Sequence, residues 1–103
     1  MKRIFKTIAF ASLLFLASCG NNPDKSRNFY DKGMDYLYCS QFEEAIEHFD
    51  KAIKYDAENY EAYFYRGCAR YNIFQREDAL ADYNKTIELN PNYLQAYFNI
   101  GLY

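Results

Sequence analysis

The sequence has few of the side chains that catalysis and metal binding require. It contains one histidine and three cysteines among 103 residues, and the cysteines form no C-x-x-C pair. Without a second histidine or paired thiols, a zinc site and thioredoxin-like chemistry are both disfavoured. The chain also lacks a glycine-rich phosphate loop and a nucleophile paired with a base. We therefore expect neither enzyme activity nor a cofactor.

One alternative, a metal site, depends on the single histidine. His48 and Glu44 lie four residues apart and would present two ligands on one face of a helix. The same helix carries Glu43, Glu47 and Asp50, a pattern more typical of a solvent-exposed face. The sequence therefore favours the absence of a metal.

Basic residues are scarce beyond the N-terminus. The chain has 12 basic and 14 acidic residues, and three of the basic ones, Lys2, Arg3 and Lys6, lie in the first 18 residues. Removing residues 1–18 leaves 9 basic against 14 acidic side chains, a net charge of −5. This negative charge disfavours binding to nucleic acid, which requires a basic surface. It also argues against electrostatic attraction to anionic lipid as a source of membrane binding.

A hydrophobic run long enough to cross a membrane is also missing. The apolar stretch covers residues 8–17, whereas a transmembrane helix needs about 20 residues. A basic head precedes this stretch and small residues follow it, which is typical of a signal peptide. The end of the run, Leu16-Ala17-Ser18-Cys19, resembles the lipobox of bacterial lipoproteins.

The lipobox resemblance implies a membrane location. In such proteins the cysteine thiol, here Cys19, receives a diacylglycerol, the chain is cut before it, and the new amine is acylated, for example with palmitate. We predict a signal peptide at residues 1–18, and the lipidated cysteine with a polar tether at residues 19–25. Gly20 rather than aspartate follows the cysteine, which favours the outer over the inner membrane. An ordinary secretory signal cut after Gly20 is the alternative.

The rest of the sequence repeats itself every 34 residues. A shift by 34 places one set of residues on a matching set: Phe29, Gly33, Ala45 and Phe49 on Tyr63, Gly67, Ala79 and Tyr83. A second shift continues the match: Tyr63, Phe64 and Gly67 fall on Tyr97, Phe98 and Gly101. A constant period of this length indicates one supersecondary unit, copied and stacked.

Each copy carries two stripes of apolar residues at helical spacing. In the second copy the predicted helices cover about residues 61–72 and 77–89, and Pro91 ends the second because the residue before proline resists the helical conformation. Small residues, Gly33 and Gly67 among them, are predicted where two helices cross closely and bulky residues pack around them.

The pattern G-x11-A-x3-[FY]-x2-[small]-x4-P on this period resembles the tetratricopeptide repeat, the helix-turn-helix unit of α-solenoids. The resemblance covers residues 26–103, with full units at 26–59 and 60–93 and the first helix of a third at 94–103. It implies an all-α fold. Ser40 and Phe74 stand where the family usually has glycine in the turn within a unit.

In tetratricopeptide arrays the first helix of each unit lines a concave groove. The groove residues that the resemblance implies are Tyr30, Met34, Leu37, Tyr38, Phe64, Cys68, Tyr71, Asn72 and Phe98. Most are apolar or aromatic, which favours recognition of a helix or an extended peptide. The lysine and asparagine positions with which some relatives hold a terminal carboxylate are here Tyr30 and Met34, then Phe64 and Cys68. That carboxylate site is therefore absent, and packing against neighbouring helices is the alternative role for each ring.

The resemblance implies a lipid-anchored envelope protein that binds another protein, as a scaffold or assembly factor. A glycan or small-ligand receptor that stacks its ligand on some of the 12 tyrosines is the alternative. Cys39 and Cys68 lie on the first helices of adjacent units and either form a disulfide or remain half-buried thiols. The apolar segment 94–103 is no polar cap, so it predicts self-association unless more chain or a partner covers it.

Overall fold

The computed structural model describes residues 21–101, which form five helices and no strand. The helices are α1 (Pro23–Tyr38), α2 (Phe42–Tyr55), α3 (Tyr60–Asn72), α4 (Arg76–Leu89) and α5 (Leu94–Ile100). Each helix packs on the next along the chain. The predicted α-solenoid, with two helix pairs and the first helix of a third, is confirmed. Within this part of the chain no helix is long and apolar enough to cross a membrane.

The predicted signal peptide and Cys19 lie outside the described residues. Helix α1 begins at Pro23, inside the segment predicted as a tether. Two features explain the early start. The Asn22 side chain accepts a hydrogen bond from the backbone N–H of Lys25 at 3.0 Å, and proline at the first helical position loses no hydrogen bond and has a suitable φ.

The turn inside each helix pair has a left-handed residue. Ser40 has φ 59° and Phe74 has φ 67°, so each adopts the left-handed conformation that glycine favours. A side chain in this conformation costs about 1–2 kcal/mol, because Cβ approaches the following carbonyl oxygen. Phe74 is also 79% exposed, so its ring recovers little of that cost by burial.

The two helices of each pair cross at a glycine. A Cβ on Gly33 would lie 2.6 Å from Cε1 of Phe49, and a Cβ on Gly67 would lie 2.8 Å from Cε1 of Tyr83. Both rings are buried, so neither can move aside freely. The predicted pairing of small and bulky residues is confirmed at both crossings, and it gives the close packing of the core.

A buried carboxylate joins three helices. Asp82 on α4 has a side chain that is 4% exposed and accepts hydrogen bonds from Arg66 Nε at 3.0 Å and Nη2 at 2.8 Å. Arg70 Nη1 adds a third hydrogen bond at 2.9 Å. Arg66 Nη1 also reaches Asp50 on α2 at 2.7 Å. Burial lowers the pKa of the Arg66 guanidinium, but the hydrogen bonds and charges of Asp82 and Asp50 outweigh it, so the pKa is raised. The network connects the first helix pair to the second.

Candidate binding groove

The predicted groove residues divide by exposure. Tyr38, Tyr71 and Phe98 are 77%, 52% and 62% exposed, and Asn72 is also exposed. Met34, Leu37 and Cys68 are half-buried. The exposed aromatic side chains are those available to a ligand.

The remaining two predicted groove residues pack in the core. Tyr30 is 8% exposed and lies against Phe49 and Tyr65, whose ring centroids are 5.9 and 6.3 Å away. Phe64 is 4% exposed, with Tyr93 at 5.1 Å between ring centroids. Tyr65 of the next unit thus lies against Tyr30 and Tyr93 lies against Phe64, whereas the equivalent Phe98 on α5 is exposed.

Four of the predicted residues border one cleft. The cleft has a volume of about 370 Å³ and lies between α3, α4 and α5, with this lining: Cys68, Tyr71, Asn72, Tyr83, Phe98 and Asn99. Sequence reasoning missed Asn99, and it took Tyr83 for a core ring only. The 34-residue period offered no signal for Asn99, because its equivalent one unit earlier, Tyr65, is not a predicted groove residue.

Hydrogen bonds hold the floor of this cleft together. Asn99 Nδ2 lies 3.8 Å from Cys68 Sγ, and the amide of Asn72 donates to the Cys68 carbonyl at 2.8 Å. Burial is the main cause that raises the pKa of the Cys68 thiol. Burial likewise raises the pKa of the Tyr83 hydroxyl, which hydrogen-bonds to that thiol. The floor is therefore polar but uncharged at neutral pH.

A larger cleft of about 670 Å³ lies along α5. Its lining is mostly apolar: Phe64, Pro91, Leu94, Gln95, Tyr97, Phe98 and Asn99. Leu94 is 76% exposed, so this segment presents apolar surface rather than a polar cap. Phe98 belongs to both clefts and so joins the groove to this apolar surface. Self-association through α5 stays a prediction.

An ion pair joins the groove helices α1 and α3. Arg27 and Glu61 face each other at 4.0 Å, and both side chains are more than a third exposed. The Arg27 guanidinium also lies 5.0 Å from the centre of the Tyr30 ring. The pair leaves little net charge at this end of the groove, because opposite charges at this distance compensate each other.

The two thiols and the histidine have structural surroundings. Cys39 is exposed, Cys68 is half-buried, and both are free thiols. His48 hydrogen-bonds through Nδ1 to the backbone carbonyl of Glu44 at 2.9 Å and packs against the ring of Tyr36. In residues 21–101 no three His, Cys, Asp or Glu side chains are grouped so as to hold a metal ion.

Comparison with known proteins gives the family. A model described as TPR repeat matches residues 33–73, and one described as tetratricopeptide repeat matches residues 60–93. The Hsp70-Hsp90 organizing protein of Triticum aestivum is 39% identical over 70 residues, which is 68% of this chain and 12% of that protein. DnaJ homolog subfamily C member 3 of Gallus gallus is 30% identical over 77 residues, which is 75% of this chain and 15% of that protein. The chain therefore matches only a small part of these curated relatives.

Solved structures agree with the family. The first TPR of Spaghetti (RPAP3), bound to the HSP90 peptide SRMEEVD, has a TM-score of 0.74 and 26% identity, and the match covers 76% of this chain and 62% of that one. The TPR2AB domain of yeast Sti1, in its pHSP90 complex, has a TM-score of 0.75 and 27% identity, with 94% of this chain and 39% of that one covered. Domains of this type are typically non-catalytic modules for protein–protein interaction. Residues 33–93 are tetratricopeptide repeats, and through them this chain belongs to the tetratricopeptide-repeat family.

Proposed function

We propose that this chain binds a protein partner through the concave face of α1, α3 and α5, as a scaffold or assembly factor of the bacterial cell envelope. The observation that carries the proposal is the cleft between α3 and α5, bordered by Tyr71 and Phe98. Both rings are more than half exposed. Exposed aromatic residues beside a preformed cleft are the side chains that most often supply binding energy.

The chemistry of the groove supports a partner with apolar side chains. The floor is uncharged, and the charged pair at the α1 end, Arg27 and Glu61, is internally compensated. A helix or extended segment would place apolar side chains against Tyr71 and Phe98 and hydrogen-bond to the floor of the cleft. The similar structures that contain HSP90 peptides support a peptide as the type of ligand.

The groove is tested by crosslinking in cells followed by pull-down of the full chain from membranes. Wild-type protein is expected to retain one protein at a stoichiometric level, and Tyr71→Ala with Phe98→Ala is expected to lose it. Each aromatic anchor commonly contributes about 2 kcal/mol or more, so losing both should lower the affinity by about 4 kcal/mol, roughly a thousandfold. The matched control is Leu80→Ala, which removes an exposed apolar side chain, 44% exposed, from α4.

The melting temperature separates binding from folding. Since both rings are largely exposed, the double variant should melt within a few degrees of wild type. Normal binding with a much lower melting temperature would show that the rings stabilise the fold instead. If no protein is retained and added sugars shift the melting temperature, the glycan receptor is the better reading.

We further propose that a lipid on Cys19 anchors the chain, with the outer membrane favoured. Wild-type protein is expected in the membrane fraction and to incorporate a labelled fatty acid, whereas Cys19→Ser should be unlabelled and unprocessed. Cys39→Ser is the matched control, because it removes an exposed thiol outside the lipobox. Wild-type protein in the medium with Asn21 at its N-terminus would contradict the anchor.

A further inference from the structure

The turn between α3 and α4 holds an aromatic residue in an unfavourable state. Phe74 combines a left-handed backbone, φ 67°, with a side chain that is 79% exposed. Glycine would relieve the backbone, and a polar residue would suit the exposure better. Strained residues persist where the surroundings hold them, and they are concentrated at binding sites. Ser40 has the same backbone conformation one unit earlier, so the feature that distinguishes this turn is the large, exposed ring of Phe74.

An arginine lies beside this ring and beside a groove residue. The guanidinium of Arg76 is 5.1 Å from the centre of the Tyr71 ring and 5.8 Å from the centre of the Phe74 ring. Contacts of this length are cation–π interactions, which hold the guanidinium in place while its N–H groups stay available. We call Tyr71, Phe74 and Arg76 the aromatic–arginine platform.

Arg76 differs from the other arginines of the described region. Within residues 21–101, Arg27, Arg66 and Arg70 each pair with a carboxylate, and Arg76 has no carboxylate within ion-pair distance. Glu77 follows it on α4 but forms no such pair, since adjacent helical residues point in different directions. A guanidinium held by rings and without a carboxylate is suited to accept one from a partner.

We propose that the aromatic–arginine platform binds a carboxylate side chain of a protein partner, flanked in that partner by apolar residues. The carboxylate pairs with Arg76, and the flanking apolar side chains pack on the exposed rings of Phe74 and Tyr71. The inference rests on the proposed function in one respect, because Tyr71 also borders the groove. It adds the charge of the partner, which the uncharged groove does not specify.

The test uses the full chain in detergent at low ionic strength and two fluorescent peptides. SRMEEVD, the peptide bound to the Spaghetti domain, carries carboxylates beside apolar residues, and SRMQQVN with an amidated C-terminus is its uncharged counterpart. The acidic peptide is expected to bind at least about fivefold more tightly by fluorescence anisotropy. Arg76→Gln should abolish this preference. Lys54→Gln, which removes a ring-stacked cation on α2, should keep it.

A second variant separates binding from stability, because it should weaken peptide binding while it raises the melting temperature. Phe74→Gly relieves the left-handed strain, so it should raise the melting temperature by about 4 °C while it weakens binding of SRMEEVD. Ser40→Gly is the matched control, because Ser40 has the same backbone conformation one unit earlier. It should raise the melting temperature without changing peptide binding.

Three results would overturn the inference: no saturable binding of SRMEEVD, equal binding of both peptides, or an acidic preference that survives Arg76→Gln. These outcomes leave the proposed function untouched if the natural partner is still lost in the variant with Tyr71→Ala and Phe98→Ala. If the natural partner is retained both by Arg76→Gln and by the variant with Tyr71→Ala and Phe98→Ala, the proposed groove is itself contradicted.

Discussion

Replacing Asp82 by asparagine should be among the most destabilising single changes in the chain. The substitution keeps the shape of the side chain but leaves Arg66 and Arg70, which are 16% and 22% exposed, without their buried carboxylate. Removing one partner of a buried ion pair costs about 3–5 kcal/mol, because the remaining charge stays desolvated. The total stability of a chain of this size is about 5–12 kcal/mol.

The expected loss is therefore a large part of the stability. In a domain of this size it corresponds to a melting temperature lower by at least about 12 °C. Urea unfolding followed by circular dichroism gives the free energy directly. Asp50→Asn is the matched control, because it removes the other carboxylate on Arg66 but at a side chain that is 51% exposed. Its cost should stay below about 1 kcal/mol.

Two outcomes would refute this reasoning. A loss below about 1 kcal/mol for Asp82→Asn, or a loss equal to that of Asp50→Asn, would mean that the buried carboxylate adds no specific stability. A triple variant gives a further check. Replacing Arg66, Arg70 and Asp82 together by apolar residues of similar volume should cost less than Asp82→Asn alone, since no buried charge is left unpaired.

Three further predictions concern packing and titration. Gly67→Ala should destabilise the fold by about 1–2 kcal/mol in urea unfolding, because its Cβ would lie 2.8 Å from the buried Tyr83 ring; an unchanged or higher stability would mean that the crossing is looser than the structure shows. The pKa of Tyr83 is raised in the folded state, so its contribution to stability is fully present below about pH 10 and is lost as the pH rises further, because the unfolded state ionises first. Tyr83→Phe should reduce this alkaline loss, and an unchanged pH profile would contradict the assignment. Iodoacetamide should modify Cys39 before Cys68 in mass-spectrometric peptide maps, because Cys68 is half-buried and the pKa of its thiol is raised; equal rates would show that the cleft floor is open.

The sequence by itself determined the architecture. A 34-residue period with glycine, alanine and aromatic residues at constant positions leaves few alternatives, because small residues must face bulky ones wherever two helices cross closely. Gly33 against Phe49 and Gly67 against Tyr83 follow from that rule. The bounds of α3 and α4 also followed from the sequence to within one residue, since proline and the apolar spacing act locally.

The tertiary structure alone decided which groove residues are exposed. Phe64 and Phe98 occupy the same position in successive units, yet they are 4% and 62% exposed. The Tyr93 ring packs against Phe64, with 5.1 Å between the ring centroids. The sequence could not predict that Asp82 pairs with arginines on α3, or that Arg66 extends this network to Asp50 on α2. Burial and pairing depend on contacts between helices, and a local pattern contains the residues of one helix at a time.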